Sequence, residues 1–227
     1  MKVGIDGRYA ERKLAGIGKY IKYLTLGLSE IGVECIIFYS RVPENKIQNK
    51  KVKSVVLKSN NRYFFEQILL PQALKREEVN LYHATGNVGV PLLSSVPTVL
   101  TVHDIIPLRI KDYFGFSRAP FLSKLSFLIR LKTSLVRAKK VITISNFVKR
   151  QLVKSLGISA NKIRVVNSGI SVEKREGKLP SGLVGKKFIL NHGGIDVRKN
   201  LETLIKAFRL VHKRFQALNP EIFYAPI

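Results

Sequence analysis

The sequence is poor in cysteine and in acid. A single cysteine, Cys35, stands among 227 residues, so no disulfide forms within the chain and no paired-cysteine metal site exists. It lies in the apolar run from Val33 to Tyr39, where a small buried hydrophobe fits better than a nucleophile. Long apolar runs are also missing. None approaches the roughly 18 residues of a spanning helix, and the N-terminus Met1-Lys2-Val3-Gly4-Ile5-Asp6 lacks the apolar core of a signal peptide, which makes the cytoplasm the expected compartment. No Gly-x-Ser-x-Gly elbow, Walker loop or His-Glu-x-x-His motif occurs, so hydrolase, nucleoside-triphosphatase and zinc-protein readings have no support. His83, His103, His192 and His212 show no ligand pair at metal spacing.

Only 15 acidic residues oppose 40 lysines and arginines, for a formal charge of +25. Residues 109 to 164 carry 14 of those cations against one acid, Asp112. Such a field calls for an anionic partner, whether phosphate, membrane surface or nucleic acid. For nucleic acid there is charge without a motif, and it is not the expected partner.

The 45% of hydrophobic residues suffice for a real core, and their pattern alternates between strand and helix. Lys2 to Asp6 reads as a strand. A glycine-containing loop follows, then a helix with Ile17, Tyr20, Ile21, Leu24 and Leu28 on one face. Further strands are expected at Val33 to Tyr39, Val52 to Leu57, Asn80 to His83, Thr98 to Val102, Val141 to Ile144 and Ile163 to Val166. Helices are expected at Tyr63 to Lys75, kinked or shortened by Pro71, at about Pro120 to Ala138, and after Ser145 as N-cap. This is an α/β chain with a Rossmann-like, doubly wound parallel sheet. Residues 1–170 form the first domain and 171–187 a linker rich in charge and glycine. Residues 188–227 then begin a second domain too short to bury a core by itself.

Three constellations carry candidate chemistry. Asn191 to Asn200 places Gly193 and Gly194, then Arg198 and Lys199, between a strand and an amphipathic helix. Glycines, a helix N-terminus and two cations suit a diphosphate, although an ordinary turn with a solvated basic pair fits the same residues. Gly16-Ile17-Gly18 opens the first helix without completing a dinucleotide fingerprint; a close phosphate approach and a plain turn both fit. His103 and Asp104 follow an apolar strand, where ligands gather in open α/β sheets. They could bond sugar hydroxyls or steady developing charge, against the common case of a histidine satisfied by a carbonyl. Between them in the chain lies a basic helical stripe of Phe121, Leu122, Leu125, Leu128, Ile129, Leu135 and Val136, with Lys132 inside its apolar arc. It suits an anionic membrane surface or a core helix with snorkelling lysines.

In order and spacing, Ile5-Asp6-Gly7-Arg8, Gly16-Ile17-Gly18-Lys19-Tyr20, Val102-His103-Asp104 with Pro107, Ile142-Thr143-Ile144-Ser145, and Gly193-Gly194 with Arg198-Lys199-Asn200 resemble the retaining, GT-B fold glycosyltransferases of family 4. The likeness runs from Met1 to about Phe215. Glu66 to Pro71, His83-Ala84-Thr85 and His103 to Pro107 look most like its mannosyltransferase-like branch. The resemblance implies two Rossmann-like domains facing a cleft, a glycan or lipid-linked acceptor on the first and a nucleotide-diphosphate sugar mainly on the second. It puts Gly16 and Gly18 on the donor-phosphate side, His103 near the transferred hexose, and Arg198 and Lys199 on the leaving diphosphate. With side chains carrying that charge, neither a metal nor another cofactor is expected.

The chain departs from the family pattern in three places. The downstream glutamate pair and nucleoside pocket are missing, Ser168-Gly169-Ile170-Ser171 replaces the usual Asn-Gly-hydrophobic-Asp with its asparagine at Asn167, and the tail from Asn219 barely begins another strand. A truncated and impaired transferase is therefore expected. The alternative is a non-catalytic acceptor- or membrane-binding half that needs a partner.

Overall fold

The computed structural model describes residues 1–12, 14, 16–110, 113–114, 119–169, 181–185, 188–192, 199–214 and 221–225. It divides into two compact units, Met1–Gly169 and Ile170–Ile227.

The first unit is built on seven strands: β1 (Lys2–Asp6), β2 (Glu34–Tyr39), β3 (Val52–Val56), β4 (Leu81–Ala84), β5 (Thr98–Val102), β6 (Lys140–Thr143) and β7 (Ile163–Val165). They pair in the order β3-β2-β1-β4-β5-β6-β7, and every pairing is parallel. The α/β doubly wound architecture is thus as expected. Strand β2 shows why its sequence is apolar throughout. Ile36 and Phe38 enter one buried cluster while Cys35, Ile37 and Tyr39 enter another, because alternate side chains leave opposite faces and helices cover both. Burial also pushes the Cys35 thiol up to about 11, which keeps it protonated at neutral pH and inert.

Helix α1 (Ile17–Glu30) buries Ile21 together with Thr25 and Ser29. Their hydroxyls donate back to the carbonyls of Ile21 at 2.7 Å and Leu26 at 2.7 Å, so polar residues fit an inner face without an unmet donor. The expected helix from Tyr63 to Lys75 is a composite. It consists of α2 (Arg62–Phe64), a π turn (Phe65–Leu69) and α3 (Leu70–Arg76). Pro71 has no N–H to give and its ring crowds the carbonyl four residues back; a widened turn just before it absorbs both effects, so the path continues instead of stopping. Helix α4 is short (Ile106–Arg109), and α5 (Pro120–Arg137) opens on a proline, a residue suited to the first helical turn. Helix α6 (Asn146–Leu156) is capped by Ser145, whose Oγ accepts from the Val148 N–H at 3.3 Å.

The second unit contains β8 (Phe188–His192) and β9 (Glu221–Ala225), parallel to one another, and α7 (Leu201–Arg214). The tail thus forms a five-residue strand, which ends before Pro226. Most of the expected linker 171–187 lies outside the described residues.

Candidate functional site

The chain runs from β1 outward to β2 and β3, then crosses to β4 and continues through β7. The sheet therefore reverses between β1 and β4, and the crevice outside the carboxyl ends of those strands is where such sheets bind ligands. Sequence-predicted residues of the first unit gather on that edge. Gly16 sits at the N-terminus of α1 with φ +46° and ψ −111°, a conformation that only glycine adopts without strain. Gly18 is excluded from change by space instead, because a Cβ there would lie 2.7 Å from the Tyr9 carbonyl oxygen. No side chain among the described residues caps this helix start, so its first N–H groups have no partner within the helix.

Tyr20, one turn into α1, joins the glycine turn to the end of β5. Its ring meets the His103 ring edge-on at 5.0 Å between centroids, and its hydroxyl lies 3.1 Å from Thr101 Oγ1. His103 takes its backbone position from Asn87, whose Oδ1 accepts from the His103 N–H at 2.7 Å. His103 Nε2 is 2.8 Å from the Thr85 carbonyl. A carbonyl only accepts, so this nitrogen carries the proton and Nδ1 keeps its lone pair. Burial lowers the pKa of His103, against smaller opposite pulls from the Thr85 carbonyl and Asp104. The carbonyl-bonded histidine is therefore what the fold contains, and it leaves one ring nitrogen as an acceptor.

Asp104 follows it in the chain as a nearby negative charge, and its Oδ1 accepts from the Ile106 N–H at 3.0 Å, a local turn that starts α4. A further histidine, His83 of the His83-Ala84-Thr85 motif, lies at the end of β4. His83 is 6% exposed, and its Nε2 lies 2.7 Å from Thr101 Oγ1, the oxygen that Tyr20 also contacts. Burial, with His103 nearby, lowers its pKa to about 4.

That shift has a consequence for stability. An unfolded histidine titrates near 6.5 and His83 near 4, so the unfolded chain binds the extra proton between those values. Stability is full above about pH 6.5 and falls as pH drops through the window, by about 3 kcal/mol for this group. Urea midpoints should show that slope in the parent chain and a flatter one in His83→Gln; equal slopes would exclude His83 as its source.

A second cluster on the same edge is a chain of alternating charges. Asp6, 0% exposed, ends β1 and accepts from Arg8 Nε at 2.9 Å and Nη2 at 2.7 Å. Arg8 Nη1 donates to Glu66 Oε1 at 2.7 Å, and Arg130 Nη2 to the same oxygen at 2.5 Å. Burial opposes the Arg8 charge, and the carboxylates of Asp6 and Glu66 more than offset it. Glu66 reaches the pair from the π turn, Arg130 from α5. Arg8, Tyr9, Arg62, Glu66, Val88 and Arg130 line a cavity of about 170 Å³ there. A larger open depression of about 490 Å³ lies beside the start of edge strand β3 and holds none of these strand-end groups.

Of the candidate donor-phosphate residues in the second unit, Lys199 is exposed just before α7. Gly193, Gly194 and Arg198 lie outside the described residues. Among the described residues no group of three or more His, Cys, Asp or Glu could hold a metal ion, and no helix is long and apolar enough to cross a membrane.

The parallel, doubly wound sheet is Rossmann-like, as in GT-B glycosyltransferases, and solved structures share that fold. The chain superposes on sucrose-phosphate synthase from Thermosynechococcus elongatus with a TM-score of 0.64, 13% identity, and 100% and 70% of the two chains covered. For Anabaena Alr3699/HepE, solved with UDP-glucose, the TM-score is 0.61, with 13% identity and 99% and 69% covered. The family sequence model described as Glycosyltransferase Family 4 matches residues 14–174. The chain belongs to that family. A relative, the O-antigen chain mannosyltransferase RfbU of Salmonella typhimurium, is 29% identical over 121 residues, which are 52% of this chain but only 30% of RfbU.

Proposed function

We propose that the chain serves a retaining transfer of a hexose, with mannose the first candidate, from a nucleotide-diphosphate sugar to a glycan or lipid-linked acceptor. The carrying observation is the convergence of the Gly16 turn, Tyr20 and His103 on one strand-end crevice. Backbone N–H groups at Gly16 and Gly18 suit the donor diphosphate, and the neutral His103 ring offers Nδ1 as an acceptor for a sugar hydroxyl. Residues 1–170 form the acceptor side. Gly193, Gly194, Arg198 and Lys199 belong to the donor side, where the two cations meet charge that develops as the diphosphate leaves. Asp104 acts by fixing the turn after His103. Because the cations do this work, no metal or other cofactor enters the step. The likeness to RfbU supports mannose, and the UDP-glucose held by HepE supports a nucleotide-sugar donor.

The test is anomeric NMR of the product formed from a nucleotide-sugar panel with glycolipid acceptors, with chelator present. Retention at an unchanged rate is expected. Inversion or a chelator-abolished rate would remove the retaining, metal-free form of the reading.

A second, compatible reading is attachment to an anionic membrane at the cytoplasmic face, favoured by the outer surface of α5. Phe121 is 75% exposed, Leu125 41%, Ile129 53% and Val136 70%; with Lys132 they form one ridge about 22 Å long at 1.5 Å per residue. A soluble helix normally turns polar residues outward, and here the apolar ridge lies in the most basic part of the chain. Vesicle sedimentation should show binding to anionic vesicles that high salt and Phe121→Ser/Leu125→Ser each weaken. Equal binding to neutral vesicles would remove this reading.

A further inference from the structure

The charge chain from Asp6 to Arg130 ends with donors unmet. Each of the three Arg8 nitrogens already donates to a carboxylate, two to Asp6 and one to Glu66. Arg130 spends Nη2 on Glu66, but its Nε is buried with no hydrogen-bond partner. Arg62, across the cavity on α2, is exposed and makes no ion pair among the described residues. With Asp6 counted beneath Arg8, two carboxylates balance Arg8 and Arg130, so Arg62 leaves the cluster with one net positive charge. A buried donor without an acceptor is costly, and two guanidinium groups offered from different helices suit a tetrahedral oxyanion better than a single hydroxyl.

The cavity, about 170 Å³, has room for a phosphate group. Its surroundings point the same way. Tyr63 and Phe64, next to Arg62, are exposed at 49% and 48%. The Arg130 guanidinium lies 5.5 Å above the Tyr63 ring, and Tyr63 Oη is 2.6 Å from Ser126 Oγ on α5. The cationic cavity is thus bordered by apolar groups of α2 and by the helix that carries the apolar ridge.

We propose that Arg62 and Arg130 bind the phosphate of a phosphorylated acceptor in this cavity, separately from the donor diphosphate. This rests on the acceptor-side reading of the first unit. Donor chemistry is assigned to the glycine turn, which does not line the cavity, and to Arg198 and Lys199. The Arg62 and Arg130 guanidinium groups, both in the cavity wall, donate to phosphate oxygens, while Glu66, itself held by Arg8, keeps Arg130 in place.

Calorimetric titration with hexyl phosphate, inorganic phosphate and hexanol tests it on the whole chain. Arg62→Gln should weaken phosphate binding about tenfold or more, the loss of one charge-assisted contact. Arg164→Gln, the same charge removed from an exposed site on β7, should change it little. Arg62→Gln/Arg130→Gln should abolish it; because Arg130 is structural as well, the exposed Arg62 variant is decisive if the double variant does not fold. Tighter binding of hexyl phosphate than of inorganic phosphate assigns the site to a lipid-borne phosphate, and equal binding assigns it to a soluble one. Equal losses in Arg62→Gln and Arg164→Gln, hexanol binding as tightly as hexyl phosphate, or no phosphate binding would each overturn the proposal. Nucleotide release from donor sugars, followed on the same preparations, separates the failures: release without phosphate binding sinks this site alone.

Discussion

Glu66→Ala is expected to lose about 3–5 kcal/mol of stability, the usual cost of stranding buried charges by removing their partner. The Glu66 side chain is 3% exposed and is shared by Arg8 and Arg130, themselves 15% and 13% exposed. Without it, two guanidinium groups face one another around a cavity and only Arg8 keeps a carboxylate, that of Asp6. Adding Arg130→Leu to Glu66→Ala should restore part of the loss, since one stranded charge then leaves the interior. Urea denaturation of the three proteins measures both effects. A loss under about 1 kcal/mol would put the pair in the range of exposed ion pairs and contradict the burial of the network.

The second large effect concerns turnover. Arg198→Ala and Lys199→Ala should each lower kcat/KM for a nucleotide sugar about 10²–10³-fold, the range for removing a group preorganised toward developing charge. The loss should fall mainly on kcat, because negative charge grows on the departing diphosphate beyond its ground-state value. Steady-state kinetics with the preferred donor decide it. A change confined to KM would make these cations simple binders of the donor.

How much of this was readable in advance depended on distance along the chain. Strand β2 and helix α1 announced themselves through local periodicity, and Ser145 through its position ahead of an amphipathic run. Pro71 was legible as a disturbance, yet its remedy was not: the π turn serves Glu66 as well as the proline, and that need is tertiary. The charge chain joins residues 58 and 64 positions apart, so no window of sequence contains it. Its faint sign was the placing of two acids, Asp6 and Glu66, within apolar segments of a chain with few acids. Asp104 also carried a plainer local signal, an aspartate two residues before a helix start, which its bond from the Ile106 N–H makes good. His83 was legible only as part of the His83-Ala84-Thr85 motif, because its burial against Thr101 depends on the pairing of β4 with β5.

The central claim is that this family 4 chain engages a nucleotide-diphosphate sugar and releases its diphosphate through the Gly16 turn, His103 and the Arg198–Lys199 pair. The most direct measurement is nucleoside diphosphate release from a panel of UDP-, GDP- and ADP-sugars, with a membrane glycolipid extract as acceptor. The account predicts saturable release from one donor class, above the uncatalysed rate and lost in Arg198→Ala/Lys199→Ala. No release from any donor, together with no saturable donor binding, would contradict it.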